Sequence, residues 1–105
     1  MATLYVAEYS DVATVNTPRG PKGTTGQAPQ EPALAEQTVA IAGSTTQSSA
    51  FNKDTTLIRV HTDVICSIAI GANPVATTNT KRMAAGQTEF FGVTPGHKIA
   101  VISNV

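Results

Sequence analysis

His61 and Asp63 stand two residues apart, and along an extended strand that spacing turns both side chains to one face. A His-x-Asp is only a fragment of a metal site, which needs three or four ligands in a set geometry. The second histidine, His97, follows the turn-forming Pro95-Gly96, and no second carboxylate clusters with either ring. No bound metal and no cofactor are therefore expected. Cys66 is the single cysteine, so no disulfide can form within the chain. It lies inside Val64-Ile65-Cys66-Ser67-Ile68-Ala69-Ile70 and reads as a small buried hydrophobe, not a nucleophile. Ser44, Ser48 and Ser49 sit in a polar stretch with no acid or base at a recognisable spacing, and no nucleophile elbow is present. The seven acidic residues are scattered singly, which leaves no close carboxylate pair for glycoside hydrolysis. Lys81-Arg82, the one adjacent basic pair, reads as a solvated turn or an interface rim. No residue is assigned a catalytic role, and the chain is not read as an enzyme.

Gly20-Pro21-Lys22, Gly23-Thr24-Thr25 and Gly26-Gln27-Ala28 make three Gly-X-Y triplets. A collagen helix needs glycine at every third position over a far longer run. A phosphate-binding loop would need Gly-Lys-Ser/Thr between a strand and a helix, which this stretch lacks. The plainer reading is an extended arm.

The elements that must position these residues are strands. Thr, Val, Ile and Ala dominate, and β-branched side chains pack well on pleated surfaces. Period-two alternation marks segments near 3–9, 37–42, 55–62, 64–70, 88–93 and 97–103, with a short one at 81–84. Residues 12–15 extend the first strand or pair with it. Turn signals fall at Thr62-Asp63, Gly71-Ala72-Asn73-Pro74, Ala85-Gly86 and Thr94-Pro95-Gly96. Seven or eight short strands at this spacing predict an all-β fold, an antiparallel β-sandwich or jelly-roll-like barrel. Ile58, Val60, Cys66, Ile68, Ile70, Ile99 and Val101 are the expected core. The one helix candidate, 31–37, has Pro32 at a first-turn position and reads equally as irregular chain. The whole of 1–105 is read as a single β domain with an irregular Gly/Pro-rich arm at 17–36, too polar to order itself without a partner. Phe90-Phe91 is an interface signal: adjacent strand residues face opposite sides, so only one ring can enter a given core.

Composition excludes several classes. Charged residues are 13% of the chain, about half the usual share of roughly 25%. Lys+Arg and Asp+Glu are seven each, so no basic stripe for nucleic acid is expected. Low charge density at zero net charge suits a protein packed against others. With no Trp, two Tyr and three Phe, stacking platforms for sugars or single strands are poor. The start, Met1-Ala2-Thr3-Leu4-Tyr5-Val6-Ala7-Glu8, has no basic and apolar signal pattern, and no run reaches the roughly 20 apolar residues of a membrane span. Synthesis in a cytoplasm and no membrane partner are the expectations.

The C-terminal half resembles small proteins encoded beside the major capsid gene of tailed bacteriophages. The resemblance runs through Ile65-Cys66-Ser67-Ile68-Ala69-Ile70-Gly71-Ala72-Asn73-Pro74-Val75-Ala76-Thr77, then Met83-Ala84-Ala85-Gly86-Gln87-Thr88-Glu89-Phe90-Phe91-Gly92-Val93, then Pro95-Gly96-His97-Lys98-Ile99-Ala100-Val101-Ile102. It implies a virion structural protein, a head decoration or cement protein with a jelly-roll-like fold, made in the host cytoplasm and carried on the capsid surface. The implied partners are the major capsid protein and copies of the chain itself, as a homo-oligomer with a trimer as the first expectation. A head–tail connector or tail component is the alternative in the same class; a sugar-binding module of a host-recognition device and a small hydrolase are the rivals outside it. The surface expected to meet partners comprises Pro18, Arg19, Pro21, Lys22 and Pro29 of the arm, Leu34 as its apolar anchor, and Phe90 and Phe91.

Overall fold

A computed structural model of the chain describes residues 2–10, 12–17, 24–29 and 31–104. Among these residues ten strands follow one another: β1 (Thr3–Tyr9), β2 (Val12–Thr17), β3 (Thr24–Pro29), β4 (Ala35–Ala40), β5 (Thr46–Gln47), β6 (Leu57–Thr62), β7 (Cys66–Gly71), β8 (Lys81–Met83), β9 (Thr88–Gly92) and β10 (Lys98–Ser103). Eight of them form two four-stranded sheets, β4-β1-β6-β9 and β5-β10-β7-β8, and every pairing is antiparallel. From β4 to β10 the chain changes sheet at each connection except β7–β8. This winding is what makes the sandwich jelly-roll-like, with β1 inserted between β4 and β6.

The alternation read from sequence becomes the sandwich core. Leu4 and Val6 of β1, Val39 of β4, and Ile58 and Val60 of β6 face Cys66 and Ile68 of β7, Met83 of β8, and Ile99 and Val101 of β10; Ile41 and Phe51 complete the cluster. Full burial of each large aliphatic side chain contributes about 1.5–3 kcal/mol. Of the seven expected core residues, six are buried and Ile70 is half-buried. The reason is β8: its register ends at Ile68↔Lys81, so among the described residues no strand pairs with the flank of β7 beside Ile70. Two expected turns close as type II-like bends. Gln87 N–H donates to Ala84 O (3.1 Å) across Gly86, and His97 N–H donates to Thr94 O (3.1 Å) across Pro95-Gly96. Gly86 (φ 77°) and Gly96 (φ 82°) hold the left-handed position such turns require.

Three expectations are corrected. Residues 12–15 neither extend nor pair with β1. Instead β2 pairs with β3 from Val12↔Pro29 to Thr17↔Thr24, so part of the arm expected to be irregular is a two-stranded ladder. Thr14, Val15, Thr17, Thr24 and Thr25 supply strand formers there, and Pro29 falls at a strand end where a missing N–H is tolerated. The 31–37 segment is not a helix. Two turns cannot sustain a helix against the ladder that Ala35–Ala40 makes with β1. The polar stretch that holds Ser44, Ser48 and Ser49 also contributes a short strand, β5, paired to β10 through Gln47↔Ala100 and Thr46↔Val101.

Candidate interaction surface

The two sheets treat their outer faces differently. Over the second sheet, the 72–80 connection folds back across β10. Gln47 Nε2 donates to Asn73 Oδ1 (2.9 Å) and Pro74 O (2.7 Å), Ala76 N–H donates to Thr45 Oγ1 (3.0 Å), and Asn104 Nδ2 donates to Ser67 Oγ (2.7 Å) and Thr78 O (3.2 Å). Ser67 and Ala100, which the alternation turns outward, are fully buried beneath it. Val75 is the one large apolar side chain of this connection that stands exposed.

The first sheet has no comparable cover among the described residues. Its register places Glu36, Ala7, Arg59 and Phe90 in one outward row and Thr38, Tyr5, His61 and Thr88 in the next. One step beyond Glu8↔Ala35 comes Leu34 beside Tyr9, with Leu34 N–H donating to Glu8 O (2.7 Å) and Leu57 on the other side of Tyr9. Three of the four exposed large apolar side chains among the described residues therefore lie on this sheet: Phe90 is 51% exposed, Tyr5 44% and Leu34 42%. The polar residues between them are anchored. His61 Nδ1 and Thr88 Oγ1 are 2.7 Å apart, and the His61 ring tilts against Tyr5 at 6.3 Å. Tyr9 is buried in the row, its hydroxyl donating to Glu31 Oε2 (2.9 Å). Burial first, then that hydrogen bond and the Glu31 charge, push the Tyr9 phenol above its ordinary 10.0.

Of the residues named from sequence, the structure brings Leu34 and Phe90 onto this one sheet face. Phe91 takes the opposite face, half-buried against the core, with Lys81 Nζ 4.7 Å from its ring centre. The Phe90-Phe91 pair thus splits between the two sides as adjacency requires. Pro29 closes the β3 ladder, and Pro18, Arg19, Pro21 and Lys22 lie outside the described residues.

The residues of chemical interest do not converge. β6 ends at Thr62, so Asp63 sits in the following turn and does not continue the alternation of His61. His97 lies across the molecule in a cleft of about 460 Å³ between the edges of the two sheets, lined also by Ile68, Ile70, Phe91 and Val93. No group of three His, Cys, Asp or Glu residues with metal-binding spacing occurs among the described residues. Ser48 is structural: its Oγ donates to Ser49 O (2.9 Å) and accepts from Ile99 N–H (3.0 Å). One buried group escaped the reading from sequence. Glu8 is 2% exposed and accepts from Asn52 N–H (2.8 Å), Thr55 Oγ1 (2.9 Å) and Gln37 Nε2 (3.0 Å). The signal was present, since Leu4 and Val6 facing inward force Glu8 inward as well.

Cys66 is wholly buried, with Sγ 3.4 Å from Thr62 Oγ1. Burial pushes its thiol above the ordinary 9.0, against a smaller lowering by the Thr62 contact. Both raised groups, Cys66 and Tyr9, are acids held neutral by the fold. Stability is intact below about pH 9 and is lost as pH rises past the unfolded values of 9.0 and 10.0 and on through the higher folded ones. Urea midpoints measured from pH 7 to 11 are expected to fall above pH 9, and Cys66→Ala with Tyr9→Phe to flatten that fall. In the parent chain at pH 8, Cys66 is expected to react with an alkylating reagent only through opening of the core. An alkylation rate equal to that in urea would contradict this burial.

Fold and surface together define an antiparallel β-sandwich with one covered sheet and one bare sheet. No protein-family model matches the chain, and no curated protein or solved structure is significantly similar to it.

Proposed function

We propose that this chain is a structural protein of a tailed-phage particle, a decoration or cement protein whose bare β4-β1-β6-β9 face docks on the major capsid protein. The observation that carries the reading is the asymmetry of the sandwich: loop 72–80 covers the middle of one outer face and buries Ser67 and Ala100, while Leu34, Tyr5 and Phe90 stand exposed on the other beside Arg59 and Glu36. Exposed aromatic and apolar anchors among anchored polar groups are the usual make-up of a protein-binding centre. The resemblance of residues 65–102 to proteins encoded beside capsid genes points the same way. In this reading the chain performs no chemistry, needs no cofactor, and contributes a rigid scaffold. The β2–β3 ladder then serves as a second contact that reaches neighbouring subunits.

The test is copy number. Quantitative mass spectrometry of purified particles is expected to find the chain at a number comparable to the shell subunit. A count of about one ring's worth would assign it to the connector or tail instead. Absence from particles would refute the proposal.

A further inference from the structure

The two flanks of the sandwich differ as much as its faces. On the β4/β5 flank the Gln37 side chain bonds the backbone of Ser49 at both ends, Nε2 to Ser49 O (3.3 Å) and Oε1 from Ser49 N–H (3.0 Å). On the opposite flank β8 is only three residues long, the cleft beside Ile70 lies open, and no described strand pairs beyond β9. The phase of the β6–β9 ladder is fixed at its ends. Thr62 N–H donates to Gln87 O, and Val93 N–H donates to Thr56 O. Residues 87, 89, 91 and 93 therefore direct their backbone groups to β6, and Thr88, Phe90 and Gly92 direct theirs away from the sheet. An edge of this kind is a template for another strand unless something blunts it.

We propose that β9 pairs with the β9 of a second copy about a twofold axis through Phe90, joining the two four-stranded sheets into one of eight strands. The backbone phase allows only pairings of even residues with even residues. With Phe90 opposite Phe90, all five residues of β9 are used, Thr88 and Gly92 exchange hydrogen bonds, and the two exposed Phe90 rings cover each other. The charges select the same register. On the inner face Glu89 of the second copy falls opposite Phe91, the ring over which Lys81 sits at 4.7 Å. The twofold makes that contact twice, so each Glu89 carboxylate meets the Lys81 ammonium of the other copy. A shift to Thr88 opposite Phe90 would set Glu89 against Glu89, and like charges directly opposite are unfavourable. The opposite shift sets Glu89 against Val93. This is an isologous interface, closed at two copies. It goes beyond the particle reading and does not depend on it.

Sedimentation equilibrium on the isolated full chain decides the matter, with circular dichroism as the check on folding. The expected result is a monomer–dimer equilibrium in which Glu89→Lys and Lys81→Glu each weaken pairing about tenfold or more, and the double charge reversal recovers most of that loss. Thr88→Pro is a second probe. The Thr88 N–H points away from β6 and Thr88 is the first residue of its strand, a site where proline is tolerated, so the fold survives while pairing is lost. A chain that stays monomeric at every concentration overturns the proposal. So does a dimer indifferent to both charge reversals and to Thr88→Pro, or a trimer. Because no particle is involved, failure here and failure of the copy-number test are separate results.

Discussion

Glu8→Ala is expected to lower stability by about 3 kcal/mol, the largest effect of any single polar substitution in the sandwich. The carboxylate is buried at the end of β1, where loop 52–55 crosses the mouth of the core. It takes hydrogen bonds from a loop backbone N–H, a loop hydroxyl and the Gln37 amide, which ties two separate segments, loop 52–55 and β4, to one side chain. Hydrogen bonds to a charged acceptor contribute about 1.5–3 kcal/mol each, but they are not additive when they share an acceptor. Removing the acceptor leaves the Asn52 N–H and the wholly buried Thr55 hydroxyl without their partner. For a domain near this size, about 3 kcal/mol corresponds to a fall in melting temperature of roughly 12–24 °C. Glu8→Gln keeps the shape and one acceptor oxygen but turns an amide N–H₂ toward a donor, so its loss is expected to be smaller. Urea denaturation of the two variants tests the clamp. A Glu8→Ala protein within 1 kcal/mol of the parent, as a typical surface substitution would be, would show that loop 52–55 is held by other means.

Particle binding is expected to weaken on the order of 100-fold when Tyr5 and Leu34 are both changed to Ser, and about tenfold for either alone. Each side chain presents apolar area that is exposed in the free chain and would be desolvated against the shell. Truncating an anchor of that kind costs on the order of 1–2 kcal/mol, and 1.4 kcal/mol is a factor of ten. Because neither residue is buried, the folded chain itself should change by no more than about 0.5 kcal/mol. The internal control is Val75, the most exposed large apolar residue among the described ones, which lies on the connection covering the other sheet. Val75→Ser should bind particles within about twofold of the parent, since rim or non-interface positions contribute little. Binding would be measured by co-sedimentation with particles lacking the protein. Equal losses for Val75→Ser and the double variant would mean that the bare sheet is not the docking face.

The all-β class, the antiparallel pairing and most strand positions were determined by sequence alone, because period-two alternation and turn chemistry are local properties. Leu4 and Val6, Ile58 and Val60, or Ile99 and Val101 declare a buried face without reference to any neighbour. Gly86 and Gly96 likewise mark their turns by a backbone conformation that other residues adopt at a cost. The Phe90-Phe91 adjacency already required that the two rings part. Tertiary structure decided everything that depends on which strand lies beside which. Thr24–Pro29 and the Ala35-Glu36 start of β4 have weak or contrary local preference, and they are strands because β2 and β1 supply ladders for them. Ile70 has the pattern of a core residue but stays half-buried because β8 stops at Lys81. Glu8 looks like a surface carboxylate until loop 52–55 brings its donors from more than 40 residues away. Leu34 and Phe90, 56 positions apart, share a sheet face only through the order β4-β1-β6-β9, and the other sheet loses the middle of its outer face to loop 72–80. The physical reason is the same in each case: alternation fixes the side of a strand on which a residue stands, and only the packing of the chain fixes what stands against it.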